Sequence, residues 1–133
     1  MPEVTTTITQ IDDSTAARMH IRNHVLITDR TEEKGGGNQG PMGGEVFVAG
    51  LGACFMSNLI AACQARGIPA KGLTARVTGT LEGTPARYCK MAIAVSGNGI
   101  PRDQMEKMVT IAERGCTVAN TLKQFMEVNI SIE

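Results

Sequence analysis

Residues 35–69 read GGGNQGPMGGEVFVAGLGACFMSNLIAACQARGIP, a glycine-rich stretch running into an apolar segment that a glycine and a proline close. Residues 35–44 hold six glycines and one proline in ten positions, which marks a loop. From Glu45 to Arg66 only Ser57, Asn58 and Gln64 interrupt the apolar run, apart from two thiols. Gly67 as a C-cap and Pro69 just beyond it predict where this helix stops. Its length invites a membrane reading, since a crossing takes about 20 apolar residues. The composition points elsewhere: Ala, Gly and Cys dominate over Leu and Ile, Asn58 would sit near mid-membrane, and no basic or aromatic flanks anchor the ends. A helix apolar all round in a soluble protein is a central, fully enclosed one, and that is the expectation here.

The flanking pattern supplies sheet. Val4, Thr6 and Ile8 alternate with Thr5, Thr7 and Thr9, predicting a half-buried strand over residues 3–11. Residues 17–21 and 24–28 predict two more, with Arg22 and Asn23 as the turn. After the helix, residues 73–81 and 88–95 predict two long strands around a hairpin loop at 82–86, and SGNGIP breaks the second. Residues 101–114 place Met105, Met108, Val109 and Ala112 on one helical face. A short helix at 117–123 and a strand at 126–132 complete the chain. The order βββ–α–ββ–αα–β predicts an α+β fold in which helices cover one side of antiparallel sheet. At 133 residues the chain is most simply one domain, residues 1–133.

Composition removes several functions. Thirteen basic residues balance thirteen acidic ones, so there is no basic stripe of the kind DNA binding uses. An aromatic content of 3% without Trp argues against stacking on single-stranded bases. A near-neutral chain with a long apolar segment tends to self-associate, which predicts a homo-oligomer. The start MPEVTTTITQIDD lacks a basic and an apolar region, so no signal peptide is expected. Four cysteines in such a chain read as thiols of the cytoplasm and not as a disulfide framework.

The thiols divide on their settings. Cys54 and Cys63 share the long helix nine residues apart, which turns them to opposite faces about 13 Å apart along the axis. They cannot bridge each other. Cys89 lies on a strand between Tyr88 and Lys90, and both Cys63 and Cys89 read as small apolar side chains. No CxxC or CxxH occurs, and His20 and His24 lie far from any cysteine in sequence, so neither a metal nor any other cofactor is expected. The two histidines bracket a turn and could approach each other. No GK[ST] follows the glycines, which excludes a phosphate-binding loop.

Cys116 opens the turn GCTVANTLK, 62 residues beyond Cys54. Cys54 lies mid-helix, beyond the reach of the N-terminal dipole, and apolar burial would leave its thiol inert. A reactive Cys54 needs a cation from elsewhere in the fold. The candidates are Arg18, Arg22 and Arg30, of which Arg30 stands nearest the glycine loop. An arginine stays charged when enclosed and can hold both a thiolate and a peroxide oxygen. Glu45 could fix that arginine through a bidentate pair.

GGGNQGPMGGEVFVAGLGACFMSNLIAA together with GCTVANTLK resembles the OsmC/Ohr family of thiol peroxidases, over nearly the whole chain. The specific parts are the Gly-Pro loop, the acidic residue entering an Ala/Gly-rich helix, the mid-helix Cys and the distal Cys-x-Val-x-Asn-Thr-Leu. The resemblance implies an intertwined homodimer with sites at the subunit interface and the long helices enclosed by sheet. It also implies reduction of organic hydroperoxides: Cys54 attacks, becomes a sulfenic acid, and Cys116 resolves it as a disulfide that a dithiol such as dihydrolipoamide reduces. In the best-known branches the acidic residue stands ten positions before the attacking Cys, where this chain has Gly44; Glu45 stands nine before. The pattern is nearer the OsmC-like branch. Two other readings fit the same residues: thiol–disulfide transfer, and a non-catalytic module that binds a small ligand.

Overall fold

The computed structural model describes residues 1–133, and the chain divides into two compact units, Met1–Phe47 and Val48–Glu133.

The first unit is a three-stranded antiparallel sheet, β1 (Thr7–Gln10), β2 (Ala17–Ile21) and β3 (His24–Thr28), in that order. The strands at 17–21 and 24–28 fall where alternation placed them, whereas β1 is only four residues long. A single 3₁₀ turn, Glu32–Lys34, precedes the glycines. The glycine loop then folds back on the end of β3. Asp29 N–H donates to Pro41 O at 3.1 Å and Asn38 N–H to Arg30 O at 3.0 Å. A Cβ at Gly36 would lie 2.2 Å from Arg30 O, and one at Gly40 would lie 2.1 Å from Ile27 O. Backbone here meets backbone with no room for a side chain, which is why the loop is written in glycine.

Asp29 holds this loop together. It is buried, and its Oδ1 accepts from Thr15 Oγ1 and from its neighbour's amide, Arg30 N–H, both at 2.7 Å. Its Oδ2 accepts from Gln39 N–H at 3.1 Å. The Thr15 hydrogen bond, with the amides of Gln39, Arg30 and Gly37, outweighs burial and holds the carboxyl below its ordinary value.

The long helix α1 spans Gly43–Ala65 and leads into the second unit. Its end is a Schellman motif: Ile68 N–H donates to Cys63 O at 3.0 Å and Gly67 N–H to Gln64 O at 3.2 Å, with Gly67 at φ +64°. The second unit continues with β4 (Lys71–Glu82), β5 (Arg87–Asn98), α2 (Arg102–Gly115), α3 (Thr117–Leu122) and β6 (Glu127–Ile132). Strand β5 runs on through Ser96–Asn98, beyond the expected break.

Sheet order is β4-β5-β6, and β6 joins β5 in parallel. This sheet is therefore mixed, not purely antiparallel as the strand pattern suggested. The two helices between β5 and β6 form the crossover that a parallel pair requires. Register builds three apolar rows across it: Ala75–Val95–Ile132, Val77–Ile93–Ile130 and Gly79–Met91–Val128. Period-2 alternation sends these to one face, where Met91, Ile93 and Val95 are fully buried.

Against that face pack Leu51, Phe55, Leu59, Ala62 and Cys63 of α1, Met105, Met108, Val109 and Ala112 of α2, and Ala119 and Leu122 of α3. Each large side chain so buried contributes about 1.5–3 kcal/mol. One helix, α1, is long and apolar enough to cross a membrane, yet its 51–55–59–62/63 stripe is core. The expectation of full enclosure is met on that face only. Ala49, Gly50, Ala53, Ser57, Ile60 and Ala61 are exposed in the single chain, because it has just one sheet face in this unit to offer a helix that is apolar all round.

Candidate active site

Cys54 lies on α1, half-buried, four residues before Asn58, whose Nδ2 donates to Cys54 O at 2.9 Å. Cys116 forms the corner between α2 and α3 and is fully buried. The fold brings Cys54 near enough to Cys116 to act on its titration, and all four cysteines are free thiols.

Several local bonds fix the corner that carries Cys116. Its Sγ accepts from Ala119 N–H at 3.5 Å, capping α3, and its carbonyl accepts from Asn120 N–H at 2.9 Å. Asn120 Nδ2 reaches back to Arg114 O at 3.0 Å, one of the carbonyls that the end of α2 leaves open. Lys123 pairs with Glu113 between the two helices. The motif GCTVANTLK thus folds as a braced turn with the Cys116 sulfur at its corner.

Burial is the main influence on the Cys116 thiol and pushes its pKa up. The amides of Ala119 and Val118 pull the other way, but the neighbouring Cys54 thiol pushes it further up. Cys116 therefore holds its proton more tightly than an exposed thiol does. Of the two residues, Cys54 is the more exposed. A protonated, enclosed thiol beside an accessible one is an arrangement able to capture an oxidised sulfur.

The other two cysteines stand apart from this pair. Cys63 is fully buried in the core and burial alone pushes its pKa up. Cys89, on β5, donates to Thr80 O at 3.4 Å. His20 and His24 do not approach each other as a pair: His20 stands opposite Val25 and His24 opposite Ile21, so alternation sends them to opposite faces of the sheet.

Arg18, Arg22, Arg30 and Glu45 all belong to the first unit. Arg18 is on β2, Arg22 in the β2–β3 turn at φ 52°, and Arg30 follows the buried Asp29. All three are exposed, and none is ion-paired. Glu45 is the third residue of α1, and its Oε1 accepts from Met42 N–H at 2.8 Å, half of a capping box. The helix starts before Glu45 and is unbroken to Cys54, so nine residues turn the two side chains to opposite faces.

Two residues at the site were given no role from the sequence, Asn58 and Gly115, while Asn120 stood within the distal Cys-x-Val-x-Asn-Thr-Leu. The signal for Asn58 was its being a lone amide in an apolar helix, one turn after Cys54. Gly115 carries none until the corner is folded.

A model of the OsmC-like protein family matches residues 35–131. The chain belongs to that family. Its fold matches an OsmC-like protein of unknown function from Vibrio cholerae with TM-score 0.81 at 18% identity, covering 100% of both chains. It also matches an organic hydroperoxide resistance protein, OsmC, from Legionella pneumophila, with TM-score 0.76 at 20% identity over 100% of this chain and 99% of that one. A third match is an organic hydroperoxide resistance protein of Bacillus subtilis, with TM-score 0.71 at 16% identity over 97% of this chain and 98% of that one. No curated protein sequence matches the chain. At these identities the structures establish the shared fold, with α1 as its core helix.

Proposed function

We propose that this protein is a cytoplasmic cysteine peroxidase that reduces organic hydroperoxides. The Cys54 thiolate attacks the distal oxygen of R–O–OH; the O–O bond breaks, ROH leaves with a proton, and Cys54 becomes a sulfenic acid. Cys116 then attacks that sulfur, releasing water and closing a Cys54–Cys116 disulfide. A dithiol such as dihydrolipoamide supplies two electrons and two protons to restore both thiols. The single observation behind this reading is the nearness of a half-buried Cys54 to an enclosed Cys116 whose pKa is raised. Membership of a family with hydroperoxide resistance proteins among its structural neighbours supports the substrate class.

Activation of Cys54 is assigned to Arg30, whose guanidinium is not ion-paired. In the proposed dimer Glu45 takes up that unpaired guanidinium, through the carboxylate oxygen not used in capping. Helix phase turns Glu45 away from the Cys54 of its own chain, so we read Arg30 and Glu45 as serving the thiol of a second subunit.

That reading requires a homodimer in which residues 1–133 act as one OsmC-like domain. Two apolar surfaces support it. Val25, Leu26 and Ile27 of β3 are 55%, 48% and 38% exposed, and Gly50, Ala53, Ser57 and Ala61 leave a shallow open face on α1. Exposed apolar surface of this extent marks an interface, and small residues let helices approach closely.

The test is dihydrolipoamide-driven consumption of cumene hydroperoxide. Wild-type protein turns over and Cys54→Ser does not. Full activity in Cys54→Ser removes the assignment.

A further inference from the structure

Gly115 ends α2 immediately before Cys116, and its φ is not in the left-handed region. Conformation does not call for glycine there, and alanine is the better helix former. Space does. A Cβ at Gly115 would lie 2.8 Å from Oδ1 of Asn58 and 3.5 Å from its Cγ, closer than a carbon and an oxygen approach without displacement. If Asn58 yields, it loses the bond that its Nδ2 donates to Cys54 O at 2.9 Å, on its own helix. The amide therefore stands as a spacer. One end is fixed to the residue that carries the first sulfur, and the other touches the residue that precedes the second.

We propose that Asn58 and Gly115 are positioning residues that set how closely Cys116 reaches Cys54. The inference rests on the thiol-pair reading above and deepens it. A disulfide closes only when the Cα atoms stand within a narrow range and the Cβ vectors converge. The α2–α3 corner moves as a braced unit, through Asn120 to Arg114 O and Lys123 to Glu113, so a displacement at Gly115 carries Cys116 with it. Asn58 itself touches neither peroxide nor sulfur in this account; it acts through the backbone of Cys54 and the placement of the corner.

The test uses thiol–disulfide exchange, with no peroxide present. Oxidised dithiothreitol takes two electrons and two protons from Cys54 and Cys116 and leaves a disulfide between them. The equilibrium constant is read by alkylation and mass for four proteins: wild type, Gly115→Ala, Asn58→Gln, and the double variant Gly115→Ala with Asn58→Ala.

A methyl group at position 115 lowers the constant about tenfold or more, since departures from disulfide geometry store strain and make the bond more reducible. Asn58→Gln, which lengthens the spacer from the other side, lowers it in the same direction. Removing the amide in the double variant brings the constant back to within about threefold of wild type. A contact that were merely structural would shift melting temperature without this rescue of a redox equilibrium.

An unchanged constant in Gly115→Ala, or no recovery in the double variant, overturns the proposal. If Gly115→Ala does not fold, the Asn58→Gln constant decides, and a wild-type value there overturns it equally. Failure of wild-type protein to form the disulfide at all would instead remove the thiol-pair reading beneath it.

Discussion

The buried Cys116 thiol lies near enough to Cys54 to feel it in its titration, although Cys54 stands 62 positions earlier on a different helix. The two sulfurs differ in every respect that matters for division of labour. Cys54 is open enough to meet a small molecule, while Cys116 sits at a braced corner where burial and its neighbour keep it protonated. Cys116 is part of the same buried core as Leu51, Phe55 and Leu59, and Cys54 packs against that core from its edge.

Replacing Cys116 separates attack from resolution. Cys116→Ser protein consumes one equivalent of hydroperoxide to reach the Cys54 sulfenic acid, and a second equivalent carries it to the sulfinic acid, adding about 32 Da on intact mass. Sustained dithiol-driven turnover by this variant would show that resolution occurs elsewhere.

Alkaline pH should weaken the protein through its buried thiols. Cys63 and Cys116 both have raised pKa values in the folded state, chiefly from burial. Above about pH 8.5 thiols of the unfolded chain ionise while these two hold their protons. The unfolded state then binds fewer protons, so stability is complete below that pH and falls as pH rises toward the folded values. Urea midpoints at pH 7.5 and 10 measure this. Cys63→Ala costs about 1 kcal/mol at neutral pH from lost apolar burial, but loses less between the two pH values than wild type does. An identical decline in both proteins contradicts the account.

Asp29 gives the opposite sign. Its folded pKa is depressed, first by the Thr15 hydrogen bond, so its contribution is present above the unfolded value. It is lost as pH falls below about 4, through the folded pKa. Amide hydrogen exchange at Arg30, Gly37 and Gln39 reports it: protection declines on acidification. In Asp29→Asn the same amides are less protected at neutral pH, and that loss no longer depends on acid. A pH-independent wild-type pattern would contradict the role given to this carboxylate.

Much of this architecture was legible because it is periodic. The strands at 17–21 and 24–28, the long apolar helix and its Gly67–Pro69 stop follow from alternation and capping chemistry alone. The parallel placement of β6 was not legible, since alternation fixes which face a strand buries and not its direction. Glu45 shows a second limit. The sequence offers its carboxylate to an arginine, and only Gly43 as helix start reveals the capping bond that it makes to Met42 N–H. Cys116 was legible as a partner for Cys54 through the resemblance and not through spacing. The Asn58–Gly115 contact joins two residues that no local pattern connects.

The most direct test of the central claim is a single-turnover experiment on fully reduced protein. One equivalent of cumene hydroperoxide is added, free thiols are alkylated, and peptides are mapped by mass. The account predicts a Cys54–Cys116 disulfide, a loss of about 2 Da, with Cys63 and Cys89 recovered alkylated. Peroxide left unconsumed with all four cysteines alkylated, or a bridge that excludes either Cys54 or Cys116, would contradict it.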